Sequence, residues 1–400
     1  MKYNHSFSAA DILLPKSNFE KWAVIACDQY TSEPEYWNEV KANADGAPSA
    51  LGVILPEVYL SADNSQRIEK INKTMQEYID SNVFNEYPDS LIYVERIQSD
   101  GKLRRGIVGK IDLENYDYRA GSNAEIRATE ETVLSRIPPR VEIRKNAPLE
   151  LPHVMLLFDD IENTVMSGIT DSTNDFDKVY DFKLMCNAGS IKGYRLNENA
   201  KDAVMNALQA LKQKNNGFLF CVGDGNHSLA TAKECYNQNP TAASRYALVE
   251  IVNIHEDALQ FEPIYRVLFG VEPQTLIDEF VKATGGEYNG ADAQKFTCVY
   301  GENTREISVK PTAKLAVGTL QAFLDDYIKE HTGVEIDYIH GESSLKKLAA
   351  RENTLGFLFD GMQKSELFAA VNSDGSLPRK TFSMGHADDK RFYIEARKIK

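Results

Sequence analysis

The segment 218–232 constrains this chain most. An unbroken apolar run, Phe218 to Val222, meets the turn Gly223-Asp224-Gly225-Asn226 and passes into a helix-like stretch from Ser228. The run lacks the alternation of a half-exposed strand, so it reads as a strand buried on both faces. Two glycines let the backbone bend sharply and approach a ligand closely. The helix behind them aims unpaired N–H groups, and the positive end of its dipole, into the same space. That geometry suits an anion, phosphate above all. Asp224, Asn226 and His227 stand at its mouth and Ser228 opens the helix. A purely structural account also exists, because tight turns use glycine, and Asn or Ser caps helices without a ligand. Yet Asp, Asn and His crowd a turn that simpler residues would fold.

The rest of the chain supplies the frame. Four hundred residues, 42% of them hydrophobic, can bury a real core in one large or two ordinary domains. The expected class is α/β (α+β): a mixed sheet core with helices over 1–270, carrying the Asp-Gly-Asn-His turn, and a smaller C-terminal α+β lobe over 271–400. Residues 22–27, 51–55 and 153–158 read as buried strands, and 91–97 with 103–111 as a hairpin around Asp100-Gly101. Helical spacing marks 65–81 and 198–214, and a charged helix is expected over 123–136, ended by Pro138-Pro139. The strand at 218–222, its helix and a strand at 246–254 suggest a right-handed parallel unit. In the last third, 274–284 and 315–332 read as helices, 296–300 with 306–310 as a hairpin, and 355–359 and 391–397 as strands.

Composition excludes some roles. The net charge of −14 gives no basic footprint for nucleic acid. No apolar run approaches a membrane span, and the residues after Met1 lack the apolar centre of a signal peptide, so a cytoplasmic protein is expected. The five cysteines show no zinc or redox spacing, and Cys27 and Cys221 lie in apolar runs as buried free thiols would. None of the histidines outside the turn has metal-ligand spacing.

Further candidates flank the turn. Asp28 and Glu33 follow a buried strand at the end where open sheets bind ligands, although Ser32, Pro34 and Glu35 also fit a plain helix start. Glu57 ends another strand with a carboxylate. Arg136 and Arg140 flank the Pro-Pro break, where guanidinium forks reach phosphates or carboxylates. Arg266 and Lys380 are further cations of the last third.

Residues 27–37, 53–57, 222–230 and 262–267, with Glu130-Glu131-Thr132 and Gly375-Ser376-Leu377-Pro378-Arg379-Lys380-Thr381, resemble the bacterial and archaeal domain-of-unknown-function 1015 family over nearly the whole chain. The family's central turn is typically Asp-Gly-His-His-Arg, and here it is Asp224-Gly225-Asn226-His227-Ser228. That turn is similar to the one in ParB-like proteins and free serine kinases, where it holds nucleotide phosphates beside Mg²⁺. The resemblance implies a phosphotransferase acting on a small hydroxylated metabolite, free serine or phosphoserine first, with ATP or ADP and Mg²⁺ at Asp224. Gly223, Gly225, Asn226 and Ser228 would cradle the phosphates, and His227 would donate to one. Glu33, Asp28 or Glu57, in that order, would serve as base. A serine at 228 cannot balance phosphate charge, so Arg136, Arg140, Arg266 or Lys380 must supply the missing cation. A phosphatase-like hydrolase and a non-catalytic nucleotide or metabolite sensor remain open alternatives. The partner is expected to be a small molecule, with neither nucleic acid nor membrane involved, and oligomerisation stays open.

Overall fold

The computed structural model describes residues 3–61, 63–132 and 134–400. The chain divides into two units: Met1–Leu259 together with His386–Lys400, and Gln260–Gly385. The sequence suggests one cut near 270; the contacts place it at 259/260 and return the last residues to the first unit.

Ten strands form the main sheet of the first unit among the described residues. In chain order they are β1 (Phe7–Ser8), β2 (Ile92–Ile97), β3 (Leu103–Asp112), β4 (Tyr116–Asp117), β5 (Ile126–Arg127), β6 (Met155–Phe158), β7 (Asp177–Lys183), β8 (Ser190–Arg195), β9 (Phe220–Asp224) and β10 (Tyr246–Asn253). Their spatial order is β7-β8-β2-β3-β10-β6-β9-β5-β4, with β1 on β3. Apolar side chains of single strands go to both faces. In β2, Ile92 and Val94 join a core with Trp22, Trp37 and Met75, while Tyr93 joins another with Val204, Leu208 and Leu229. A sheet covered on both sides has near-continuous apolar strands, and Phe220, Cys221 and Val222 are all fully buried.

The sheet is mixed, and this corrects the expected parallel unit. Strand β6 lies between β9 and β10, antiparallel to β9 and parallel to β10, so the two expected neighbours run in opposite directions. Spacing along the chain cannot reveal that an earlier segment inserts between them. Residues 50–53 form a 3₁₀ turn capped by Ser49, not a strand. Trp22 closes a short helix, leaving only Val24–Ile25 extended. Among the described residues of 123–136 the expected helix does not form. Its first part supplies β5, and the helix begins where it was expected to stop, at Ile137–Arg144, with prolines in its first turn. Proline there loses no helical hydrogen bond and has its φ already set. The helices that matter below are α1 (Pro34–Ala44), α2 (Ser65–Asp80), α3 (Ile137–Arg144), α4 (Glu198–Lys214) and α5 (Asn226–Gln238).

The returning tail is fastened by buried charge. Arg391 pairs with Glu250 of β10 and, at 2.6 Å, with Glu395. Arg96 donates to the carbonyls of Asp388 and Lys390, and Arg104 to that of Asp389 at 2.9 Å. These ions are almost completely excluded from solvent, so each depends on its partners to offset desolvation.

The second unit is an antiparallel sheet. Its strands are β11 (Phe261–Phe269), β12 (Gln294–Tyr300), β13 (Asn303–Val309), β14 (Glu335–His340), β15 (Thr354–Phe359) and β16 (Phe382–Met384), ordered β13-β12-β15-β11-β14 with β16 on β11. The expected hairpin is β12–β13. Of the expected strand 391–397, which lies in the first unit, only Phe392–Tyr393 and Arg397 are extended. No helix among the described residues is long and apolar enough to cross a membrane.

Candidate functional site

Strand β9 carries the chain to Asp224, and Gly225, at φ 85°, turns it into α5. A Cβ on Gly225 would lie 2.9 Å from the His153 ring and 3.1 Å from the Val154 Cα, so the bend demands glycine on both conformational and steric grounds. No side chain caps α5, which leaves its first-turn amides facing the mouth of the turn. The turn from Gly223 to Ser228 is part-exposed, between a fully buried strand and the buried Leu229.

Asp224 accepts from the Gly225 N–H at 2.9 Å, and its other oxygen lies 3.2 Å from Nζ of Lys390 in the returning tail. Asn226 Nδ2 donates to Thr129 Oγ1 at 3.3 Å, and Thr129 in turn donates to the Val222 carbonyl. In this orientation Asn226 Oδ1 is buried with no hydrogen-bond partner among the described residues. His227 is half-buried; burial, then the charges of Arg140 and Arg136, push its imidazole down to about 4. It is therefore neutral near pH 7 and carries one ring N–H.

Around the turn the structure gathers several expected residues. Helix α3 packs on α5 through Ile137, Val141 and Ala230, which brings Arg136 and Arg140 to bear on His227. Arg140 is ion-paired with Glu57, and the Glu57 amide donates to the Cys27 carbonyl at 2.8 Å. Asp28 lies 3.3 Å from His153 Nε2 and accepts from Gln29 at 2.9 Å. Burial opposes its ionisation, but His153, Gln29 and Lys390 outweigh that and hold the carboxyl well below its ordinary range. Burial lowers the His153 ring, yet Tyr393 and Asp28 raise it well above its ordinary value. The electrostatic reach of Asp28 to His227, and of Lys390 to Asp28, marks these groups as neighbours.

Other expected residues stand elsewhere. Glu33 is exposed at the N-cap of α1. Arg266 belongs to the second unit. It is fully buried and donates to Gln321 at 2.7 Å and to the Lys380 and Arg379 carbonyls at 3.0 and 3.2 Å, so its guanidinium holds a loop. Lys380, also of that unit, lies over the Tyr338 ring. Cys221 is buried as expected, but Cys27 is part-exposed. Lys390, His153, Thr129 and Tyr393 are site neighbours that sequence reasoning passed over. His153 had one signal, a lone histidine ahead of a buried strand; Lys390 had none.

Beside the first turn of α5 lies a cavity of about 180 Å³. One wall is α3 with the turn after it, through Arg140, Ile143 and Ala147; another is the segment of Val53, Leu55 and Glu57; Ser228 and Thr231 stand at the α5 side.

The chain belongs to DUF1015, a family of proteins of unknown function, whose model matches residues 9–327. No curated protein matches the sequence. Among solved structures, a free serine kinase variant in complex with ADP is similar at 11% identity and a TM-score of 0.41, covering 74% of this chain and 93% of its own. The free serine kinase in complex with AMP is similar at 11% identity and a TM-score of 0.40, covering 73% and 92%. A C-terminally truncated SbnI from Staphylococcus aureus follows at 9% identity and 0.37, covering 72% and 82%.

Proposed function

We propose that this protein is a phosphotransferase acting on a small hydroxylated metabolite, with free serine the first candidate acceptor and ATP or ADP the donor. The observation that carries the reading is the part-exposed turn Gly223–Ser228, with an uncapped helix behind it and Arg136, Arg140 and Lys390 around it. Phosphoryl transfer asks a protein chiefly to position its reactants and neutralise charge. The amides of Asn226 to Ser228 would hold phosphate oxygens, the Gly225 N–H being engaged by Asp224, and neutral His227 would donate one further hydrogen bond. The acceptor hydroxyl oxygen forms a bond to the terminal phosphorus, and the bond from that phosphorus to its bridging oxygen breaks. The hydroxyl proton passes to a carboxylate, and the nucleotide leaves one phosphate shorter.

Mg²⁺ fits this turn in its usual sparing mode. No group of three or more His, Cys, Asp or Glu among the described residues is arranged to hold a metal ion. Asp224 and the unpartnered Asn226 Oδ1 provide two hard oxygen donors on one turn. Mg²⁺ commonly takes one or two protein oxygens, completing its shell with water and substrate phosphate. Bound there, it would neutralise phosphate charge.

The base is the open element. Asp28 is held by His153 and Glu57 by Arg140, while Glu33 is exposed. These engaged carboxylates favour a second reading, a sensor that binds nucleotide or metabolite without turnover. Phosphorus NMR of the protein with Mg²⁺, serine and ATP or ADP separates the two. Phosphoserine formation that disappears in Asp224→Asn and His227→Ala, with circular dichroism unchanged, is the expected result. Wild-type-like turnover in either folded variant refutes the assignment of these residues, and tight nucleotide binding with no product across hydroxylated amino acids favours the sensor.

A further inference from the structure

The cavity beside α5 has a composition that free serine does not explain. Its charged wall residues are already paired: Glu57 with Arg140, Arg144 with Glu150, and His153 with Asp28. Tyr393 Oη is engaged by His153 at 2.7 Å and by the Cys27 N–H at 3.2 Å, and Thr231 donates to the His227 carbonyl at 2.7 Å. With charge cancelled within the wall, the remaining surface is mostly that of Val53, Ile54, Leu55, Ile143, Leu149 and Leu151. Such a space rewards an uncharged apolar occupant and penalises a charged one, which would lose its hydration without gaining a partner. Its volume of about 180 Å³ sets the size: an aliphatic-lined cavity of about 150 Å³ admits a benzene ring. Ser228 lines the cavity at the first turn of α5, beside the amides that would grip phosphate.

We infer that the molecule bound at the turn carries a ring-sized, uncharged group that enters this cavity while its phosphate or hydroxyl end stays at Gly223–Ser228. The inference rests on the phosphate-binding reading above and names the missing chemistry of the substrate. The group can come from the base of the donor nucleotide or from the side chain of the acceptor, and the experiment separates these sources.

Calorimetry on the full chain compares AMP with ribose 5-phosphate, and phenylserine with serine. In one of the two pairs the ring-bearing member is expected to bind about tenfold more tightly or better, the return for burying one ring. A preference in the first pair assigns the cavity to the nucleobase, and one in the second to the acceptor. Ala147→Leu and the part-exposed Ile143→Trp both fill the space, and each is expected to bring the favoured ratio down to about one. Ratios within about twofold in both pairs overturn the inference, being below the gain expected for a buried ring. So does a preference that persists in both folded variants. Phosphate-bearing ligands that bind with ratios near one leave the turn's role intact and refute only the cavity's. A phenylserine preference without binding of either phosphate compound upholds the cavity and refutes phosphotransfer, and absence of all binding refutes both.

Discussion

Replacing Gly225 by alanine tests whether the turn is as constrained as its geometry demands. Gly225 has φ 85°, and a Cβ there would meet His153 Cδ2 at 2.9 Å, Val154 Cα at 3.1 Å and Val154 Cγ2 at 3.2 Å. Holding alanine in the left-handed region costs about 1–2 kcal/mol. The contacts add a second cost, because a backbone Cα cannot rotate away; overpacking of this kind costs about 1–3 kcal/mol. Gly101, in the β2–β3 hairpin, separates the two. Its φ is 83°, but nothing lies within 4 Å of its would-be Cβ, so Gly101→Ala incurs the conformational cost alone. The gain from a stiffer unfolded chain, about 0.4–1 kcal/mol, applies to both variants and cancels in the comparison. Gly225→Ala should therefore be less stable than Gly101→Ala by about 1–3 kcal/mol. With a urea m-value of about 3 kcal/mol/M, the unfolding midpoint of Gly225→Ala should lie about 0.3–1 M lower. Equal midpoints would mean that the bend relaxes freely, and the case for a rigid cradle would fail.

Two further outcomes follow from the charges. With its pKa at about 4, His227 is depressed below its unfolded value of about 6.5, so its contribution to stability is present above that value and is lost as pH falls towards 4. Its ring protons should titrate in NMR near 4, and a midpoint near 6.5 would show that neither burial nor the charges of Arg140 and Arg136 depress it. Arg391→Met should cost about 3–5 kcal/mol in chemical denaturation, because it takes the main cation from Glu250 and Glu395 in the core; a loss under about 1 kcal/mol would show that the Arg391 pairs contribute little to holding the tail.

Local signals were legible where one element carried its own instructions. Helix α4 runs from Glu198 to Lys214 as expected, because its apolar spacing, the Asn197 side chain at its start and the lysines at its end agree. The Asp100-Gly101 hairpin followed from its turn chemistry. Apolar runs were ambiguous: in 51–55 the chain ends a 3₁₀ turn at Val53 and buries Val53, Ile54 and Leu55, and hydrophobicity without β-pairing looks the same in the sequence. Pro138-Pro139 reads as a stop in the sequence and is a start in the structure, since proline suits both sides of a helix boundary. The order of the sheet was hidden, because β6 pairs with two strands distant in the chain. The turn at 223–228 was visible as a unit, but its neighbours were not, since a tail more than a hundred residues away supplies Lys390.

That long-range contribution bears on the serine at 228. An arginine in the first turn of α5 would bring its cation along the helix proposed to bind the anion. Here Ser228 brings none, and the positive charge arrives from outside α5. Arg136 and Arg140 come from the start of α3, held against α5 by Ile137, Val141 and Ala230. Lys390 comes from the tail, whose backbone carbonyls at 388–390 are gripped by Arg96 and Arg104. These cations already have partners: Arg140 has Glu57, and Lys390 has Asp224. An anion entering the turn must therefore share or displace a carboxylate. Each displacement frees an acidic group beside the bound molecule, and a freed carboxylate is what a proton-accepting base requires. On the proposed reading, an anion that shares Arg140 leaves Glu57 paired and the cavity wall neutral, whereas one that displaces Glu57 would turn that carboxylate into a candidate base and charge the wall.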